Sequence, residues 1–187
     1  MADKTLSSLS VMYPYRSSYG TYQLRSFEES TGISTAAIRY GDVVQFDVNV
    51  ATANHRIVRS STMANVPNVL STAFVGIAVE ASTGIGANAA ITGVGTSKKL
   101  KVCLATAQTE FWGATKSSAV TSTVIGSRRA LAFDSTLNIF YVDIANSTAG
   151  DAGVVITDVP EPGTDANNPV IFKFLSTGVA RLISGAF

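Results

Sequence analysis

Hydrophobic and polar residues alternate with a period of two along most of the chain beyond Gly41. In VVQFDVNV (43–50), Val44, Phe46, Val48 and Val50 share one face, while Gln45, Asp47 and Asn49 share the other. That alternation predicts a half-buried strand. FVGIAVEA (74–81) sets Val75, Ile77 and Val79 against Gly76, Ala78 and Glu80, and LKVCLA (100–105) sets Leu100, Val102 and Leu104 against Lys101 and Cys103. Further strands are predicted at 128–134, 137–145, 153–159 and 168–176, with a short last one at 180–183. Between the strands stand runs of turn formers: STGIGAN, GVGTSKK, NSTAGDAG and PEPGTDANN. No long stretch keeps a helical period. Short strands at this spacing predict an all-β fold, a small β-barrel or a sandwich.

The first part of the chain reads differently. Residues 1–38 hold four of the six tyrosines, Tyr13, Tyr15, Tyr19 and Tyr22, with many serines and no sustained alternation. Polar backbone with scattered aromatics fits an extended arm ordered by another surface. An irregular segment lying on its own domain is the alternative. The expected division is an extended N-terminal arm at 1–40 and a β-rich domain at 41–187. SFEESTG (26–32) allows a short helix, with Ser26 as N-cap, Glu28 and Glu29 in its first turn and Gly32 closing it.

Composition narrows the class. Charged residues are 14% of the chain, against about 25% in a typical soluble domain. Coiled coils and charge-driven disorder need more Lys, Glu and Arg than this. Small uncharged residues take their place, which suits a subunit packed against neighbours. The net charge of +1 offers no basic surplus for neutralising phosphates, so no nucleic-acid partner is expected. No run of about 18 apolar residues is present, so no membrane helix is expected, and MADKTLSSLS lacks the apolar core of a secretory signal. The single cysteine, Cys103, excludes an intrachain disulfide and a cysteine-cluster metal site. Charge is nevertheless segregated: residues 95–130 carry six basic side chains against Glu110 alone, and 131–172 carry six acidic ones and no basic one. Adjacent segments usually lie side by side, so pairing within the fold is the simpler expectation. Head-to-tail docking of subunits is the other.

The motifs for chemistry are sparse. His55 is the only histidine, it sits beside Arg56 and Arg59, and no G-x-S-x-G elbow accompanies it. GIGANA (84–89) satisfies G-x-G-x-x-A, but AITGVGTSKK after it makes a poor helix, and a dinucleotide site needs a helix N-terminus there. Asp143, Asn146, Asp151, Asp165 and Asn167 supply oxygen ligands without the spacing of a calcium loop, and turn formation accounts for them. The NST at 146–148 matches a glycosylation sequon and reads as turn chemistry. Phe111 and Trp112, in TEFWGAT, are either a lid on the core or an interface anchor. The five glutamates stand in no distinctive context for paired-carboxylate catalysis. No enzyme, cofactor or metal is expected.

Several segments in order resemble the capsid decoration, or cement, proteins of tailed bacteriophages. They are GDVVQFDV (41–48), VGIAVEAST (75–83), KLKVCLATAQTEFWGAT (99–115) and VIGSRRALAFDSTLNIFYVDIA (124–145), with the closing VIFKFLSTGVARLI (170–183). In that family a G-I-A strand leads into a glycine-rich turn and then a strand ending in a Phe-centred motif, here Glu110-Phe111. A glycine near the position of Gly126 precedes the last third of the domain. The resemblance implies a small β-barrel or β-tulip domain on the outside of an assembled icosahedral head. It implies trimers at three-fold and quasi-three-fold positions, an arm that reaches a neighbour, and a virion location after synthesis in the host cytoplasm. The partners implied are the major capsid protein and further copies of the chain, with Tyr13, Tyr15, Tyr19, Tyr22, Phe111, Trp112, Arg128 and Arg129 as interface candidates. A head-fibre, tail or baseplate subunit is an alternative. So is a carbohydrate-binding β-sandwich that uses Trp112 and exposed tyrosines as stacking platforms.

Overall fold

The computed structural model describes residues 11–18, 20–28, 38–46, 57–59, 74–80, 99–116, 119–147 and 153–175. The fold is all-β, with two antiparallel sheets packed together. One sheet holds β1 (Tyr13–Ser17), β7 (Thr109–Ala114), β13 (Pro169–Phe174), β11 (Val154–Asp158), β9 (Arg128–Asp134) and β10 (Ile139–Asp143), in that order. The second holds β2 (Leu24–Glu28), β6 (Lys99–Leu104), β5 (Phe74–Ala78), β3 (Val43–Phe46) and β4 (Ile57–Arg59). A small ladder pairs β8 (Ala119–Val120) with β12 (Gly163–Ala166). Thr115 and Val142 form a parallel bridge, so β10 returns to the end of β7 and the larger sheet curls around its core.

That core is the inward face of the larger sheet against the second. Phe111, Phe172 and Phe174 pack ring to ring at centroid distances of 5.3–5.9 Å, with Met12, Leu131, Val142, Val154 and Ile156 around them. Val43, Ile77 and Cys103 reach this core from the second sheet. Val44, Val75, Leu100 and Val102 instead join Phe27, Ile38 and Ile57 in a separate cluster on its far face. The second sheet is therefore apolar on both faces, and Gln45, read as solvent-facing, is buried. A bulge between β3 and β5 lets Val75 and Ile77, two residues apart, face opposite sides.

The sheets are also tied by a buried polar clamp. Arg59, on β4, donates from Nη1 to Asn138 Oδ1 at 2.7 Å, and its guanidinium centre lies 4.8 Å from the Phe133 ring centroid. Asp42 stands 3.8 Å from the same guanidinium and accepts the Arg39 amide at 2.7 Å. Asn138 belongs to the β9–β10 turn, where φ is 59° and Asp134 Oδ1 accepts the amides of Thr136 and Leu137. Asn tolerates the left-handed region, and an Asp before it organises such a turn.

The N-terminal segment departs from the arm expected over 1–40. Where it is described, it lies on its own domain. β1 is the edge of one sheet and pairs with β7, whereas β2 is the edge of the other and pairs with β6. Met12 is fully buried in the main core. A segment with one half-apolar face gains more by capping a sheet than by leaving it. The helix allowed over 26–32 is replaced by strand through Glu28. Thr109–Ala114, expected as a tail after the previous strand, is a central strand, and Gly163–Ala166, inside an expected turn, is β12. The expectations at 47–50, 84–89 and 180–183, and for His55 and Asp151, lie outside the described residues.

Candidate functional site

The two N-terminal edge strands and the turn before β3 build one aromatic surface. β1 crosses Trp112 at Tyr13, and the two rings stack at 5.1 Å and 15°. A bulge follows between Pro14 and Arg16, which turns Tyr15 outward. Tyr22 folds back, and its hydroxyl donates to the Tyr15 carbonyl at 2.8 Å and approaches that of Pro14 at 3.4 Å. Gly41 holds the next element close, because a Cβ there would lie 2.7 Å from Val11 Cβ and 2.8 Å from the Met12 carbonyl oxygen. Its φ of +86° is also one that glycine adopts freely. Tyr40 is thereby held beside the start of β1. Tyr15, Tyr22, Leu24 and Tyr40, at 40–53% exposure, are four of the five large hydrophobic residues exposed among the described residues. Their concentration on one surface is informative, whereas scattered exposed apolar residues are ordinary.

Proline, the bulge and the Tyr22 hydroxyl together blunt the outer edge of β1. Pro14 has no amide to offer a new strand, and the Tyr15 carbonyl is already occupied. The phenols are donors at neutral pH: burial and the Tyr15 and Tyr40 hydroxyls push Tyr13 up, and burial pushes Tyr22 up.

Charge around this surface is ordered. Glu110, buried on the outer face of β7, takes Arg16 from β1 on one side and has Lys173 of β13 at 3.6 Å on the other. Arg25 and Arg39 are exposed. Elsewhere Lys116 pairs with Asp134 at 2.6 Å and Lys101 with Glu80 at 2.9 Å. The first of these joins the basic and acidic segments within the fold, in line with the simpler expectation.

Of the residues singled out in the sequence, Tyr13, Tyr15 and Tyr22 come together here, and Tyr19 lies outside the described residues. Phe111 is corrected: it is wholly buried and cannot anchor a partner. Trp112 is half-buried, on the face of β7 opposite Phe111. Arg128 and Arg129 lie on β9, with β7, β13 and β11 between them and β1, so they belong to a different surface. Sequence reasoning misses Leu24, Arg25, Arg39 and Tyr40. Their only signal in the chain is the alternation of LRSF and the Arg-Tyr pair before Gly41.

Groups able to do chemistry are not assembled. Among the described residues no three His, Cys, Asp or Glu side chains lie together as metal ligands. Cys103 is buried, and burial pushes its thiol up to about 12, far from a reactive thiolate. Asp143 accepts the amides of Ala145 and Asn146, the turn role expected of it. No family model matches the chain, and no curated protein does.

Trp112 has Tyr13 stacked on one ring face and Ile171, fully buried, as its cross-strand neighbour on the other side. A ring held this way is a packing element. Trp112→Ala is expected to cost about 2 kcal/mol of stability, read as a lower urea midpoint. An unchanged midpoint would leave the indole available as a ligand platform.

Proposed function

We propose that this protein is a structural component of a tailed-phage virion that binds the outside of the assembled head and stabilises it. It does so as trimers at three-fold and quasi-three-fold positions. The observation that carries this reading is where the decoration-protein-like segments fall. Their described parts form β3, β5, β6, β7, β9, β10 and β13, strands of both sheets in one two-sheet domain. The resemblance thus follows the framework of the domain rather than an isolated loop. Low charge and abundant small residues support the same reading, because they favour extensive packed contact over steering.

Attachment at several symmetry-related points multiplies modest contacts into durable binding. A protein that binds only the assembled lattice shifts the equilibrium towards that lattice. Heads purified without this protein and incubated with it are expected to carry it through sedimentation, to show added density at three-fold positions and to break at a higher temperature. Heads that sediment bare at saturating protein would defeat the proposal. The geometry of Trp112 weighs against the carbohydrate alternative, since stacking on a sugar needs an open ring face.

A further inference from the structure

We propose that the surface formed by Tyr15, Tyr22, Leu24 and Tyr40, flanked by Arg25 and Arg39, is the face that docks on the shell, and that its occupant is an acidic protein surface. The inference rests on the virion reading above and names the contact that reading leaves open. Three observations carry it. The first is the concentration of exposed large hydrophobic residues on this one surface. Tyrosine with arginine is the composition of binding hot spots, because rigid amphipathic rings lose little entropy when they are covered.

The second is the blunted edge. Pro14, the bulge and the Tyr22 hydroxyl close β1 to strand addition, so contact here is made by side chains. The third is charge. Across residues 11–27 and 38–46 the only acidic side chain is Asp42, which is buried, while Arg25 and Arg39 are exposed. Glu110, the carboxylate nearest β1, is buried between Arg16 and Lys173. The surface therefore offers cations and apolar rings. A second copy docked through the same face by two-fold symmetry would set arginines against arginines, which is unfavourable. An acidic partner avoids this.

The test uses the full chain and purified heads lacking it, with three variants: Arg25→Glu with Arg39→Glu, Leu24→Ser with Tyr40→Ser, and Ile125→Ser as an exposed apolar control elsewhere. Far-UV circular dichroism and thermal midpoints establish that each variant is folded. Both double variants are expected to bind heads roughly tenfold or more weakly, while Ile125→Ser binds like wild type. Wild-type affinity is expected to fall as salt rises, and the arginine variant to lose that dependence. A salt titration of wild type alone reads the charge contribution even if a variant fails to fold. Double variants that bind like wild type, or salt-independent wild-type binding, would overturn the docking face and leave the virion reading standing. Self-association of wild type that the same variants abolish would assign the face to a second copy and overturn the acidic partner. Wild type that never binds heads would overturn both.

Discussion

Gly76→Ala is expected to leave the protein without a stable fold. Gly76 sits where β5 is flanked by β3 and β6, and its backbone approaches β6 so closely that a Cβ would lie 1.9 Å from the Cys103 carbonyl oxygen. It would also lie 2.9 Å from the Cys103 carbonyl carbon and 3.1 Å from the Ala105 amide nitrogen. All three are backbone atoms at a central strand, and no rotamer change relieves the clash. Relief requires β5 and β6 to separate, with loss of the hydrogen bond from the Ala105 amide to the Val75 carbonyl. Disrupting a central strand in this way costs more than about 4 kcal/mol. That is most of the stability of a domain with roughly 5–15 kcal/mol in total. Soluble yield and the urea midpoint measure it. Gly20→Ala is the control, because its positive φ is also strained but nothing lies within 4 Å of the added Cβ. It is expected to cost about 1 kcal/mol. A Gly76→Ala protein with a wild-type midpoint would show that β5 and β6 are not held at this distance.

The second large effect is a dependence of stability on pH with an unusual sign. Burial pushes the Asp42 carboxyl up to about 6, with the Arg39 amide and the Arg59 and Arg39 guanidinium groups pulling it partly back down. Between roughly pH 4 and pH 6 the folded protein holds a proton that the unfolded chain has released. The stability this contributes is complete below the unfolded value of 3.8 and is lost as pH rises through about 6. At about 1.4 kcal/mol per tenfold in proton affinity, the whole effect is about 3 kcal/mol, and about 1 kcal/mol of it falls between pH 7 and pH 5. Asp134 and Glu80 act oppositely. Hydrogen bonds from Lys116 and Lys101 hold their carboxyls below the usual range, and that support disappears in stronger acid. Maximum stability is therefore expected between about pH 4 and pH 6. Urea midpoints should rise from pH 7 to pH 5 in wild type and stay flat in Asp42→Asn. A wild-type midpoint that falls over that interval would show that Asp42 is not carried as a buried carboxylate.

The strands legible in the chain are those with one apolar face and a covered neighbour on each side. Arg128–Asp134 is legible to the residue, and β3, β5, β6, β10, β11 and β13 within a few residues. Edge strands are not legible. YPYRS of β1 is half-covered on one face and exposed at its centre, so no alternation of two distinct faces marks it. IVR of β4 is too short to show a period, and GTDA of β12 has turn composition. β7 escapes notice because Glu110 interrupts its apolar run. The burial of that carboxylate depends on Arg16, 94 residues away, which no local pattern reveals. For the same reason the tyrosines of the site can be named from the chain, but Leu24 and Tyr40, gathered by pairing with distant strands, cannot.

The placement of β1 and β2 bears on biosynthesis. Both leave the ribosome long before the strands they pair with, since Arg16 meets Glu110 across 94 residues of chain. Such distant pairing forms late and slowly, because the intervening loop must close first. Tyr15, Tyr22 and Leu24 therefore travel unshielded while most of the polypeptide is still being made. Nascent chains of this protein should engage holding chaperones through the very residues that later face outward on the mature subunit.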